Sequence, residues 1–259
     1  MFRFSSWLAL VCAHALLTEY ANANGVLRDG VGGGFALGGA DVAFAKDPLM
    51  AMHRNPATLG LLEAPTISFG LTGIHADATF EDASGSRTDL RQDSGAFPDL
   101  ALAYPIANTR FTLWASLITE TALRGDWRYE DALGGVDGAT SYGRQSHYSE
   151  FMAIRAALGL NVDLTDKLAI GMSVGAVYHR VSLDVPFIFQ SHPSLAGWKT
   201  LLDLDTGGYG WNADLGLHYH FLKDLHIGLA YRSRTHLRGT GNAHGSDPCA
   251  SDLAQSRRR

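Results

Sequence analysis

A two-residue alternation of apolar and polar side chains is the feature that most limits how this chain can fold. Its clearest case is Tyr209–Phe221, where Tyr, Trp, Ala, Leu and Phe occupy one face and Gly, Asn, Asp and His the other. A period of two places successive side chains on opposite faces of a β-strand. The same pattern, stronger or weaker, predicts seven strands: Thr66–Thr72, Asp99–Ile106, Arg110–Glu120, Met152–Leu164, Leu168–Tyr178, Tyr209–Phe221 and Leu225–Arg232. We therefore expect an all-β, antiparallel sheet.

Composition excludes several other classes of protein. Hydrophobic residues make up 46% of the 259 residues, which is too many for a disordered chain. The formal net charge of -5 argues against a nucleic-acid-binding protein, which would carry a basic stripe. Beyond the N-terminus no run of about twenty apolar residues occurs, so a helical membrane protein is not expected.

The strands fit either a soluble sandwich or a transmembrane barrel, and three features favour the barrel. The best strands have about the 9–11 residues of a tilted membrane-spanning strand. Aromatic residues stand at both ends of the best apolar face, as interfacial girdles require. Predicted short turns, near 107–108, 165–166 and 223–224, alternate with predicted long loops, at 77–98, 122–147 and 180–208. In the barrel, apolar faces meet lipid while Arg155, Asn212 and Asp214 point inward; in a sandwich, Leu215 and Leu217 lie beneath a second sheet.

The N-terminus has the order of a secretory signal peptide. Arg3 precedes an apolar run from Trp7 to Leu17, and an Ala-Asn-Ala sequence follows, so residues 1–23 are predicted to be removed after Ala23. The next segment, Gly25–Leu62, is rich in glycine and lacks the two-residue period. It is predicted to be compact and irregular, with a short helix in which Pro48 takes a first-turn or kink position. We expect this segment to lie on the concave side of the sheet.

Three stretches of sequence stand out: Gly38 to Pro48, Asn55-Pro56-Ala57, and Gly228 to Ser233. Through them the chain resembles the FadL-type outer-membrane transporters of long-chain fatty acids and aromatic hydrocarbons (the FadL/TodX family). The resemblance rests on the sequence from Gly38 and Gly39 to Pro48, and on Asn55-Pro56-Ala57, which are similar to the family's N-terminal hatch. A second match is the sequence from Gly228 to Ser233, similar to a mid-barrel strand of the family. The hatch motif residues implied by the resemblance are Gly38, Gly39, Asn55, Pro56 and Ala57.

The resemblance implies a particular division of the chain. Residues 1–23 are the signal peptide, 24–63 the hatch that plugs the barrel, and 64–241 the first half of the barrel strands. Residues 242–259 form a polar tail that is not expected to be barrel sequence. Seven strands are about half of the family's fourteen, so we expect a partial, open barrel whose first and last strands are edges. Unpaired edge amides are costly in lipid, so stable insertion requires another chain or segment to supply the missing half.

Arg155 is the strongest single candidate for ligand binding. On the inward face, its guanidinium is suited to hold a carboxylate head group; the alternative is an interior ion pair with Asp163, Asp214 or Glu120. A second candidate is a set of apolar residues at near-helical spacing in the third long loop, which either capture ligand in an exposed groove or pack the loop on itself: Leu195, Trp198, Leu201 and Leu202.

Two motifs that suggest other chemistry are given structural interpretations. Ser173 lies in a G-x-S-x-G sequence, but in mid-strand rather than at the strand-to-helix turn that a nucleophile elbow requires. His218, His220 and His226 have no carboxylate spaced to complete a metal shell, so a polar barrel lining is expected. No catalytic residue, metal or cofactor is predicted.

The resemblance and the strand pattern together predict a function. We expect passive uptake of a fatty acid or hydrocarbon at the outer membrane of a Gram-negative bacterium, with outer-membrane lipid as the surrounding partner. The ligand enters from the outer loops, and the hatch rearranges to release it sideways through the barrel wall. The alternatives are a lipase-like barrel enzyme, which needs a Ser/His pair, and a structural or adhesive barrel, which needs no hatch.

Overall fold

The computed structural model describes residues 31–32, 40–45, 47–81, 85–91, 94–131, 141–189, 193–222 and 225–246. The predicted signal peptide, Gly38, Gly39 and residues 247–259 lie outside these ranges. Within them are one α-helix and ten strands: α1 Pro48–Arg54, β1 Thr66–His75, β2 Thr79–Glu81, β3 Arg87–Asp89, β4 Ser94–Pro105, β5 Phe111–Glu130, β6 Arg144–Thr165, β7 Leu168–Ile188, β8 Lys199–Leu222, β9 Leu225–Arg232 and β10 Arg238–Ser246.

One antiparallel sheet contains all the strands except β2 and β3, which pair with each other. Its order is β1-β4-β5-β6-β7-β8, after which β9 and β10 pair with successive parts of β8. Because β9 pairs with residues 214–222 and β10 with 201–209, β10 continues the path of β9 after a short interruption. The seven predicted strands are thus all present: they correspond to β1, β4, β5, β6, β7, β8 and β9, with β10 continuing β9, and together they form a partial barrel.

The central strands are longer than the alternation predicted. β5 extends to Glu130, β6 begins at Arg144, β7 extends to Ile188 and β8 begins at Lys199, so much of two predicted long loops is strand. In these extensions both faces are polar or half-buried, and there is no apolar face to produce a period of two. The periodicity therefore detects only the part of each strand whose outer face is apolar.

The predicted tail also needs a correction. Residues 242–246 belong to β10 and pair with residues 201–205 of β8. This part of β10 has the sequence Asn-Ala-His-Gly-Ser, which carries no apolar alternation, so the ladder with β8 rather than side-chain burial holds it as a strand.

The two faces of the sheet differ as the barrel interpretation predicted. Leu215 is 54% exposed on the outer face, and further large apolar side chains exposed there include Ile67, Phe69, Leu158, Val174, Tyr209 and Trp211. On the inner face Arg155, Asn212 and Asp214 are all buried. No second sheet covers the outer face among the described strands, so the sandwich alternative is wrong.

The N-terminal segment, which we define as the described residues between 31 and 62, packs on the inner face. Asp47 caps α1 by accepting a hydrogen bond from the Met50 amide, and Pro48 occupies the first turn, as predicted. A buried apolar cluster joins this segment to β4, β5 and β6: Val31, Ala45, Leu49, Met50, Ala51, Met52, Leu59, Ala101, Ala103, Trp114, Ile118 and Ala157. No helix in the described ranges is long and apolar enough to cross a membrane.

Candidate functional site

Asn55 fixes the N-terminal segment to the sheet. Its side-chain oxygen accepts a hydrogen bond from the Ala57 amide at 3.0 Å and so caps the 3-10 helix Pro56–Leu61. Its side-chain nitrogen donates to the carbonyl of Val42 at 2.7 Å and to that of Leu217, on β8, at 3.1 Å. One fully buried amide thus joins two parts of the segment to the wall.

Glycines on the inner face allow the segment to approach the sheet this closely. A Cβ at Gly171 would stand 2.4 Å from the Ala57 nitrogen, and one at Gly216 would stand 2.0 Å from the Asn55 side-chain oxygen. Both distances are too short for any carbon, so these positions require glycine while the segment is seated. The predicted packing of this segment against inward small residues is confirmed for its described part.

A polar network, which we call the inner network, crosses the inner face beside α1. Arg155 donates to Asn212 at 2.7 Å and to Ser173 at 3.1 Å, and pairs with Asp214 at 2.8 Å. Ser173 in turn donates to Asp214 at 2.8 Å. The guanidinium lies flat over Gly175, where a Cβ would come within 2.3 Å of the Arg155 Nε atom.

Arg155 forms an interior ion pair, which the sequence analysis gave as the alternative to binding a carboxylate head group. Its side chain is 2% exposed, and Asp214, one of the three partners considered, neutralises it. A carboxylate head group would have to displace Asp214 from this pair. The role of Arg155 in ligand binding stays a prediction.

Arg232 is a member of the inner network that the sequence reasoning missed as a functional residue. Its Nε donates to Asp214 at 2.7 Å, and its other nitrogens reach Glu120 at 2.7 Å and the backbone carbonyl of His53 at 3.0 Å. The sequence did contain an indication that Arg232 points inward, because the alternation of β9 places it on the same face as His226 and Gly228.

The wall of the sheet opens between β4 and β5. β4 pairs with β1 from residue 94 to 103, but its pairing with β5 covers only residues 100–105. Above that point Pro98 has no amide hydrogen to donate, and the Thr119 amide and hydroxyl turn to the Asp99 carboxylate and the Pro98 carbonyl. A bulge at Glu120 then shifts the register of β5 against β6.

The opening contains a cavity of about 420 Å³. We call this cavity the wall gap. Its walls are mainly apolar and include residues of both faces: Leu117, Ala122, Met152 and Ile154 from the outer face, and Phe97 and Phe151 from the inner face. Arg124 and Glu150 stand at its rim. The wall gap therefore connects the inner side of the sheet with the apolar outer surface.

The proposed capture groove in the third loop does not form as the helical spacing suggested. Residues 193–197 make turns, whereas Leu201 and Leu202 lie on β8, where neighbours point to opposite faces. Leu195 and Trp198 are 38% and 53% exposed. The four residues therefore do not share one helical face, although a capture role for the exposed pair remains a prediction.

The three histidines form a stacked cluster at the end of the sheet near the short turns. His218 and His226 are joined by a 3.0 Å nitrogen-nitrogen hydrogen bond, and the rings of His220 and His226 stack at 4.6 Å. Phe44 of the N-terminal segment lies 5.1 Å from the His226 ring. Within the described ranges, no three His, Cys, Asp or Glu side chains are placed to hold a metal ion.

Beyond the apolar belt, the outer face carries ion pairs between neighbouring strands. The Tyr148 hydroxyl donates to Glu150, which also pairs with Arg124 at 3.1 Å. The pKa of Glu150 lies below its ordinary value, chiefly because of the Tyr148 hydrogen bond; Arg124 lowers it further, and burial acts in the opposite direction. Asp205 likewise has a lowered pKa because Arg180 hydrogen bonds to it.

Comparison with known proteins gives these features a family. The model of a family described as "Outer membrane protein transport protein (OMPP1/FadL/TodX)" matches residues 14–255. The chain belongs to this family. Membership confirms the predicted FadL-type resemblance and the partial barrel of antiparallel strands.

Individual relatives agree with the family assignment. The long-chain fatty acid transport protein of Salmonella typhi is 27% identical over 218 residues, which are 77% of this chain and 47% of that protein. Its counterpart in Escherichia coli (strain K12) is 26% identical over 221 residues, 74% of this chain and 47% of the relative. The chain thus spans about half the length of the curated relatives it matches.

Solved structures show the same architecture. The Ralstonia pickettii toluene transporter TbuX superimposes with a TM-score of 0.66 at 25% identity, over 80% of this chain and 57% of that one. A Pseudomonas aeruginosa FadL homologue, at 16% identity and a TM-score of 0.58 over 83% of this chain and 54% of its own, shares the fold.

Proposed function

We propose that this protein takes part in the passive uptake of hydrophobic compounds, long-chain fatty acids or hydrocarbons, across the outer membrane of a Gram-negative bacterium. The wall gap is the observation that carries the proposal. It provides an apolar passage between the inner side of the barrel and the surface that lipid covers. The relatives named for fatty acid and toluene transport support the same class of cargo.

In this proposal the N-terminal segment is the hatch, and it lies across the inner face while the wall gap stays open beside it. Cargo captured at the outer loops passes the hatch and leaves sideways through the wall gap into the membrane. Burial of each methylene group contributes about 0.8 kcal/mol, so an acyl chain needs few polar contacts to bind. No cofactor or covalent step is needed, since the cargo leaves unchanged.

The contacts of Ser173 support transport over a lipase-like enzyme. Its hydroxyl donates to Asp214 and accepts from Arg155, and the residue is 4% exposed in the middle of β7. A hydrolytic serine needs a histidine base and an exposed position at a turn. The seated N-terminal segment similarly favours a transporter over an adhesive barrel, which has no use for a plug.

The proposal also includes the location and partners of the chain. Residues 1–23 direct export and are removed, and the apolar outer face then meets outer-membrane lipid. β1 pairs with β4 and the path of β9 and β10 pairs with β8, so each has one described neighbour and leaves an open edge. Further strands are needed to close those edges in lipid.

A blocked wall gap provides the test. In Escherichia coli lacking its own long-chain fatty acid transport protein, the full chain is produced together with the C-terminal strands of that relative, and labelled oleate and toluene uptake are measured. Ala122→Trp fills the gap and should reduce uptake at least tenfold. Ala115→Trp, on the outer face where β4 and β5 are paired, is the matched control and should retain it. Uptake that never exceeds the empty-vector level while a folded, heat-modifiable barrel is present would overturn the proposal.

A further inference from the structure

Arg232 joins three separate parts of the molecule through one guanidinium. It pairs with Asp214 on the neighbouring strand β8, with Glu120 on β5, 112 residues away, and with the carbonyl of His53 in α1, 179 residues away. A guanidinium carries five N–H donors on three nitrogens in a fixed planar fork, and each of these nitrogens serves a different acceptor here, whereas an ammonium donates from one nitrogen only.

We infer that Arg232 is a positioning residue that couples the seating of α1 to the shape of the wall gap. The inference rests on the proposed function, because it assigns the control of the hatch and the gap to one side chain. It adds a specific physical connection between α1 and the wall gap.

Glu120 is the end of this connection at the wall. It is the extra residue of the β5 bulge, between Thr119, which pairs with Ile154, and Thr121, which pairs with Ala153. The bulge turns its carboxylate inward, where it is 8% exposed. The same bulge lies directly above the last β4–β5 pair, so the position of Glu120 is tied to the edge of the wall gap.

His53 is the end of the connection at the N-terminal segment. Carbonyls in the last turn of a helix lack partners within the helix. The Ala57 amide, four residues on, is bound to the Asn55 side chain, and Arg232 donates to the His53 carbonyl. The guanidinium therefore contacts α1 where the helix ends.

Moving α1 changes the partners of Arg232. With α1 seated, three acceptors fix the guanidinium; with α1 lifted, two carboxylates remain and the side chain is free to rotate toward them. Buried Glu120 and Asp214 both pair with Arg232, and Arg155, which also pairs with Asp214, supplies the second positive charge that balances the two carboxylates. Because the two carboxylates share the Arg232 guanidinium, neither can change position without affecting the other. Coupling of this kind is reciprocal, so a change at the bulge must also alter the seating of α1.

Thiol labelling at both ends tests the coupling. With Cys12 and Cys249 replaced by serine, the full chain carries a single cysteine at Ala51→Cys, which is 1% exposed in α1, or at Ala122→Cys in the wall gap. The chain is assembled with the complementing strands, and labelling by a polar maleimide is measured in detergent, with no cargo present. Arg232→Lys keeps the charge and Glu120→Gln keeps the bulge; each should raise labelling at both cysteines on the order of fivefold or more.

Arg180→Lys is the matched control, because it makes the same change in an exposed ion pair with Asp205 outside the inner network. It should leave both labelling rates at the parent value. The decisive arm is Glu120→Gln with the cysteine at position 51: labelling at the parent rate there overturns the inference, even if Arg232→Lys fails to fold. Since no transport is measured, a failure of uptake with intact coupling would count against the proposed function alone.

Discussion

Glycine at position 171 shows how a single residue controls the contact between the N-terminal segment and the wall. It faces inward on β7, and the backbone of Pro56 and Ala57 occupies the space where a side chain would be. Gly73 on β1 is also a strand glycine, but a Cβ there would have no atom within 4 Å. The two positions thus differ in what is packed against them.

Gly171→Ala should therefore displace the N-terminal segment, whereas Gly73→Ala should not. Overpacking against backbone costs about 1–3 kcal/mol, which raises local opening about 5- to 150-fold. The measurement is the rate of trypsin cleavage after Arg54, which lies at the end of α1. Equal cleavage rates in the two variants would show that the segment does not depend on this close approach.

The extensions of β5 to β8 beyond the apolar belt depend on ladders and ion pairs instead of a buried face. Arg124 and Glu150 lie opposite each other across β5 and β6, and Arg180 and Asp205 join β7 and β8. The partly exposed pair of Arg124 and Glu150 contributes at most about 1 kcal/mol. Salt screens both pairs, so the extensions are sensitive to pH and ionic strength.

Acid should loosen these extensions through Glu150. Its pKa is lowered in the folded protein, so its stabilisation is fully present above the ordinary carboxylate pKa of about 4 and is lost as the pH falls through the lower folded value. A fluorophore at Ser149→Cys, next to Glu150 on β6, should report unfolding in less urea at pH 3 than at pH 7. Glu150→Gln should shrink this difference, and Glu63→Gln, an exposed residue outside the sheet, should preserve it. The prediction fails if both variants respond to acid as the parent does.

At the scale of the whole molecule, the apolar belt and the charged rim divide the outer face into two zones. Val174 is 63% exposed within the belt on β7, while Ser182 lies eight residues farther along the same strand, paired with Glu150 and Asp205. Aromatic residues stand near both limits of the belt, at Tyr178 and Tyr209 on one side and at Tyr104 and Phe111 on the other.

A depth measurement should resolve the two zones. A fluorophore attached at Val174→Cys should be strongly quenched by lipids brominated on their acyl chains, because the belt lies in hydrocarbon. The same fluorophore at Ser182→Cys should be quenched weakly, because that position lies beyond the hydrocarbon. The full chain is reconstituted with the complementing strands in vesicles for this comparison. Equal quenching at both positions would contradict the placement of the belt.

Much of the fold was accessible from the sequence because its causes are local. Alternation located the seven strand paths, and it placed Arg155, Asn212 and Asp214 on the inner face. Asn55-Pro56-Ala57 carries its own turn chemistry, since a side-chain cap and a proline at the first position fix the chain within a few residues. The extensions of β5 to β8 were not predicted, because both of their faces are polar and the sequence there shows no alternation of apolar and polar residues.

The functional features depended on contacts between distant parts of the chain. The residues around Glu120 do not predict a bulge, because a bulge is defined only by the register with a neighbouring strand. The wall gap likewise arises where β4 keeps its pairing with β1 but loses that with β5. The sequence alone thus determined which side chains face inward. The tertiary structure decided that Arg232 meets Glu120, 112 residues away, and His53, 179 residues away, since only the assembled sheet with α1 seated on it brings these groups within hydrogen-bond distance.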